Sequence, residues 1–159
     1  MNNIFELKKF YTIIFIISLA SLLIALYIEY FLGYKPCKLC IYQRIPYLIA
    51  IFLSFLGINY SKNIIWLYAL LLTFFLSFIL SGYHFGIEKE IFKEFSGCTG
   101  NSLNITDKNE LLKLLNSDVN SCKNVDFSVF GLSLATINFL FSFVIFIIIL
   151  KIIKNEKNK

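Results

Sequence analysis

Four long stretches of this chain carry almost no charge, and they limit its fold more than any other feature. Phe10–Ile28, Ile45–Ser61 and Phe127–Leu150 contain no charged residue, and Asn63–Ile87 holds only His84 as a potential cation. A bilayer core of roughly 30 Å needs about 20 predominantly apolar residues per helix. Three of the stretches meet that length, and the second reaches it by beginning near Ile41 with Arg44 close to its start. None alternates with a period of two, so strands of a membrane barrel are excluded. The chain is 58% hydrophobic and 18% aromatic, too apolar for an ordinary soluble domain. The expectation is an all-α membrane protein, a single four-transmembrane-helix bundle. Its spans are placed near 10–30, 41–61, 63–87 and 128–150, with loops near 31–40 and 88–127.

Lys8 and Lys9 precede the first apolar stretch as they would in a signal peptide, but the stretch is longer than a signal core of about 7–15 residues. It reads as an uncleaved first span. The net charge of +5 is spread too thinly for nucleic acid; Lys151, Lys154, Lys157 and Lys159 form a C-terminal tail suited to a cytoplasmic membrane face. Both termini and Lys62 are therefore expected inside. Glu88–Asp126 holds five lysines against seven acids and can cross the membrane, whereas Lys35 and Lys38 run against the charge rule. Within that loop, Asp107 and Glu110 flank the start of a leucine-rich segment with helical spacing, which predicts a short amphipathic helix.

The first and third loops of a four-span protein share one side of the membrane, and all four cysteines fall in them. That distribution implies an oxidising compartment on that side, the periplasm if the termini are inside. Cys37-Lys38-Leu39-Cys40 forms a C-x-x-C where the first loop meets the second span. A disulfide closing so short a ring constrains little of the unfolded chain, so a structural role is weak. Helix-terminal N–H groups near Cys40, with Arg44 one turn on, favour the thiolate that attacks in disulfide exchange. Arg44 is either a membrane-edge cation facing headgroups or a donor for a polar group arriving from the bilayer. His84 is either a packed interfacial histidine or a participant in cofactor binding or proton transfer. Cys98 and Cys122, 24 positions apart, either pin the long loop or relay electrons from a soluble partner. No haem-attachment or nucleotide-binding motif is present, which leaves a lipid-soluble quinone as the economical electron acceptor.

The run Pro36-Cys37-Lys38-Leu39-Cys40-Ile41-Tyr42-Gln43-Arg44-Ile45-Pro46-Tyr47 resembles the C-x-L-C-x-x-Q-R signature of the DsbB family. Gly82-Tyr83-His84-Phe85-Gly86-Ile87-Glu88 and Phe130-Gly131-Leu132-Ser133 resemble the ends of that family's third span and the start of its fourth. The resemblance implies an enzyme that reoxidises a DsbA-like periplasmic thioredoxin-fold protein and passes the electrons to ubiquinone or menaquinone in the inner membrane. It implies that Cys37 and Cys40 form the disulfide beside the quinone, with Cys40 in contact with it. Cys98 would be attacked by the partner, Cys122 would pass electrons to Cys37, and Arg44 would hold the quinone. The chain departs from the pattern at Lys89–Phe95, which lacks the tryptophan and proline expected before the third cysteine.

Two other readings compete. A vitamin K epoxide reductase-like enzyme also joins loop cysteines to a C-x-x-C, but there the loop pair comes first. A tetraspanin-like scaffold has a short and a long outer loop with structural disulfides, but expects adjacent cysteines in the long loop and none of this arrangement at the membrane edge.

Overall fold

The computed structural model describes residues 2–61, 63–93, 122, 128–129 and 131–158. It is built from α1 (Asn2–Tyr30), α2 (Lys38–Tyr42), α3 (Arg44–Asn59), α4 (Ile65–Glu88) and α5 (Leu134–Lys157), with a small hairpin of β1 (Ser128–Val129) and β2 (Leu132–Ser133) before α5. Four helical segments are long and apolar enough to cross a membrane: Phe5–Tyr30, Lys38–Asn59, Ile65–Glu88 and Leu134–Lys157. Only 22% to 33% of each span's most apolar window is buried within the protein. Helices that expose so much apolar surface are stable in lipid rather than in water, and the protein is an all-α, four-helix membrane protein. The short helix expected within 107–115 lies outside the described residues.

The second span is two helices, because Pro46 lacks the N–H that would bond the carbonyl of Tyr42 and its ring crowds that turn. The helix therefore breaks at Gln43 and resumes at Arg44. Gln43 itself keeps right-handed helical backbone at φ −67, ψ −15, so Lys38–Asn59 remains one span with a single-residue interruption. The fourth span begins at Leu134, later than the position near 128 read from hydropathy. The residues before it are taken up by the hairpin, in which Ser128 pairs with Ser133 and Val129 with Leu132, and Gly131 takes φ +78 at the turn. Ser133 then caps α5, its Oγ accepting the N–H of Thr136 at 3.1 Å.

α1 packs along α3, α4 along α5, and α3 against α4. One buried cluster, including Tyr11, Tyr47, Leu67, Phe74, Ile149 and Ile153, fills the bundle over most of its length. A second joins Cys37, Leu39, Ile87 and Cys122 at the end where the first and third loops lie. Small residues set the close approaches, since apolar burial drives helix pairing poorly in lipid. Ser77 Oγ meets Ser142 Oγ across α4 and α5 at 3.0 Å. Gly57 lies so near Tyr11 that a Cβ there would stand 2.6 Å from the ring. Since Tyr11 is itself only 1% exposed, Gly57→Val overpacks this contact and destabilises the bundle by about 1–3 kcal/mol. The check is the unfolding midpoint of the detergent-solubilised protein, with partial recovery on adding Tyr11→Leu; an unchanged midpoint would show that the ring yields freely.

Candidate functional site

The site lies at the end of the bundle where α1 and α4 finish and α2 and α5 begin. Pro36 drives the residue before it toward extended backbone, and Cys37 follows at φ −69, ψ 165 as the N-cap of α2. Its Sγ accepts the N–H of Cys40 at 3.3 Å and shares a hydrogen bond with Cys40 Sγ at 2.9 Å. Both cysteines are free thiols, and Cys37 is only 8% exposed. The Cys37 thiol is pushed down to about 5, first by the hydrogen bond from the Cys40 thiol. The hydrogen bond of His84 and the backbone N–H of Cys40 act in the same direction, while burial opposes them. The helix-terminal donors that the sequence reading gave to Cys40 thus serve Cys37, because the helix begins at Lys38 rather than near Ile41.

α4 brings His84 to this pair. Gly82 and Gly86 flank it for a packing reason: a Cβ at Gly82 would stand 3.0 Å from the Phe139 ring and one at Gly86 2.3 Å from the Phe92 ring. His84 Nε2 lies 3.6 Å from Cys37 Sγ and 3.8 Å from Glu88 Oε1. Glu88 accepts in turn from the Ser133 hydroxyl. On its other edge, His84 Nδ1 meets Gln43 Nε2 at 2.9 Å, and Gln43 Oε1 accepts from Asn138 Nδ2 at 2.9 Å. Asn138 Oδ1 accepts from the hydroxyls of Tyr47 and Ser142.

Arg44 turns the other way and forms an ion pair with Glu29 at the end of α1. Cys37, Cys40, Arg44 and His84 all border one cavity of about 420 Å³. Its walls include Leu22, Ala25 and Ile28 of α1 and Leu134, Ile137 and Phe141 of α5. Apolar walls and polar groups such as Glu29, Gln43, Arg44 and His84 share this cavity, the form of a site for a lipophilic ligand with polar groups. Cys37, Cys40 and His84 also place their ligating atoms within 4.8 Å of one another. The sulfurs at 2.9 Å are nearer than the roughly 3.7 Å that two thiolates keep on a tetrahedral zinc, and that spacing suits disulfide formation better than a metal.

Cys122, 1% exposed and disulfide-bonded, belongs to the same buried cluster as Cys37. Cys98 lies outside the described residues. The structure therefore gathers Cys37, Cys40, Arg44, His84 and Cys122 at one end of the bundle. Sequence reasoning missed Glu29, Asn138, and the inward role of Gln43. Each left a signal, since an acid or amide on an apolar span is costly unless a partner awaits it on a neighbouring helix.

The family model described as "Disulfide bond formation protein DsbB" matches residues 8–152. The chain is also 30% identical over 130 residues to the uncharacterized protein RP370 of Rickettsia prowazekii (strain Madrid E), a match spanning 78% of this chain and 74% of the relative. The family match extends from the first span through the fourth, its range includes every cysteine, and the chemistry it carries is thiol oxidation in the service of disulfide bond formation. The chain belongs to the DsbB family of membrane proteins.

Proposed function

We propose that this protein reoxidises a DsbA-like thioredoxin-fold partner in the periplasm and delivers the electrons to a membrane quinone. The observation that carries the proposal is the free dithiol of Cys37 and Cys40 opening onto an apolar cavity bordered by Arg44. The cavity's volume and walls fit a quinone ring with part of its tail, and Arg44 supplies a planar set of donors for a carbonyl oxygen. A quinone held there would supply the acceptor for two electrons and two protons. Ubiquinone and menaquinone both meet these requirements.

The cysteines divide the work. Cys98 and Cys122 form the disulfide that the partner's dithiol reduces, so the partner leaves oxidised and both loop sulfurs become thiols. Cys122, within the buried cluster of Cys37, then attacks the Cys37–Cys40 disulfide. The loop disulfide re-forms, and Cys37 and Cys40 become the dithiol. Re-forming their disulfide releases the two electrons and two protons that reduce the acceptor, and every step balances. Arg44 orients the acceptor, and Glu29 holds the guanidinium at the cavity edge.

Orientation follows from the lysine-bearing ends. Both termini and Lys62 are cytoplasmic, and the two cysteine-bearing loops are periplasmic. Membrane-impermeant thiol reagents should label the reduced loop cysteines in intact spheroplasts; labelling only after the membrane is broken would reverse the topology and remove the function with it.

The electron path separates by substitution. Cys98→Ser abolishes exchange with the soluble partner while the Cys37–Cys40 disulfide still forms. Cys40→Ser blocks quinone reduction yet permits a mixed disulfide between Cys98 and the partner, seen on a non-reducing gel. Full turnover in Cys98→Ser would make the loop pair structural.

Arg44→Ala raises the apparent Michaelis constant for quinone by about 10- to 150-fold, the loss of one charge-assisted hydrogen bond of roughly 1.5–3 kcal/mol. Arg44→Lys recovers part of it, because a point charge replaces a planar fork. Exchange with the soluble partner stays near its original rate in both variants. Equal damage to both half-reactions would instead make the Arg44–Glu29 pair a support of the fold.

A further inference from the structure

Behind the dithiol, side chains from three spans form one hydrogen-bonded line with a defined direction. The hydroxyls of Tyr47 and Ser142 donate to Asn138 Oδ1, which turns the Asn138 NH2 group toward Gln43 Oε1 at 2.9 Å. The Gln43 oxygen is thereby engaged, and its own NH2 group faces His84 Nδ1 at 2.9 Å. An amide NH2 donates and cannot accept, so Nδ1 must be the unprotonated nitrogen and the neutral ring carries its proton on Nε2. Nε2 is the atom 3.6 Å from Cys37 Sγ. In the reversed line both hydroxyls would accept from the Asn138 NH2 group. The Ser142 proton could turn to Ser77 Oγ at 3.0 Å, so it is the Tyr47 proton that holds the Asn138 oxygen in place, since losing that bond is costly in a low-dielectric interior.

We infer that Asn138 is a positioning residue for thiol oxidation: acting through Gln43, it fixes His84 as the Nε2–H tautomer and aims that proton at the Cys37 sulfur. The inference deepens the proposed function by resting on Cys37 and Cys40 as the redox pair. In the other tautomer a lone pair would face the sulfur, and the reduced pair would lose a donor to its thiolate. Asn138 borders the cavity, and its effect on the Cys37 sulfur passes along the amide line.

His84 is the single histidine of the chain, so each imidazole nitrogen gives one resolvable signal in the 15N-histidine-labelled, reduced, full-length protein. The expected spectrum shows a pyridine-type Nδ1 and a pyrrole-type Nε2. Gln43→Glu places an acceptor against Nδ1, and Nδ1 should acquire a proton. Asn138→Leu should produce both tautomers and slow alkylation of Cys37, followed by mass spectrometry at fixed pH, by about fivefold, the factor one hydrogen bond contributes. Tyr47→Phe removes only the terminal proton while its ring stays edge-on to Phe74, and should introduce the second tautomer to a lesser degree. This mild variant keeps the test decisive if Asn138→Leu does not fold. A protonated Nδ1 in the unsubstituted protein overturns the inference, as do 15N signals unmoved by Gln43→Glu and Tyr47→Phe. None of these readouts involves quinone. Failure of quinone reduction by the unsubstituted protein would therefore count against the proposed function, and an unexpected tautomer against this inference alone.

Discussion

Cys37 Sγ accepts the backbone N–H of Cys40 at 3.3 Å, and through that bond one sulfur of the dithiol doubles as the cap of the helix that opens the second span. An N-cap must lie outside the helix in extended backbone, and Cys37 does so at φ −69, ψ 165. A thiolate is a better acceptor for helix-terminal N–H groups than a thiol. Reduction of the pair therefore strengthens the cap as it generates the nucleophile, and disulfide formation discharges it. The chemistry and the local fold are thus one equilibrium.

The low dielectric around the bundle end explains how the remaining polar groups are arranged. A cation or amide on a spanning helix is tolerated when a partner meets it, and unpaired burial costs several kcal/mol by common scales. Arg44 meets Glu29 from α1, Gln43 meets His84 from α4 and Asn138 from α5, and Glu88 meets Ser133 at the start of α5. Much of the bundle is instead filled by apolar groups such as Leu67, Leu70, Ile149 and Ile153. The cavity lies where these two kinds of interior meet, with lipid-like walls and a polar edge at the sulfurs.

The four spans were legible because charge-free length is a property of the chain itself, and so was the C-x-x-C with its Arg44. The break at Gln43 was half legible. Pro46 was visible, but its effect depends on whether the helix begins at Lys38 or later. The start of α5 was misplaced since hydropathy cannot distinguish a short apolar hairpin from the first turn of a helix; Gly131 and Ser133 were the local signs of it. His84 looked like a packing histidine because its partners, Cys37 and Gln43, are 47 and 41 residues away in sequence. Glu29 and Asn138 carried no motif at all. Their meaning lies in which helices become neighbours, and a single sequence does not state that.

The adjacent pair Gln43 and Arg44 shows how the break shapes the site. Successive side chains on a helix diverge by about 100°, so neighbours in sequence serve different surfaces. Gln43 points inward to His84 and Asn138, behind the sulfurs, and Arg44 points to Glu29 on α1, across the cavity edge. The interruption that Pro46 imposes sets both residues at the junction of α2 and α3, where neither is committed to the middle of a helix. One residue then governs hydrogen bonding at the dithiol while the next presents charge to whatever enters from the bilayer. The hydrogen-bonded line behind the dithiol and the ion pair at the cavity are thus joined through a single peptide bond.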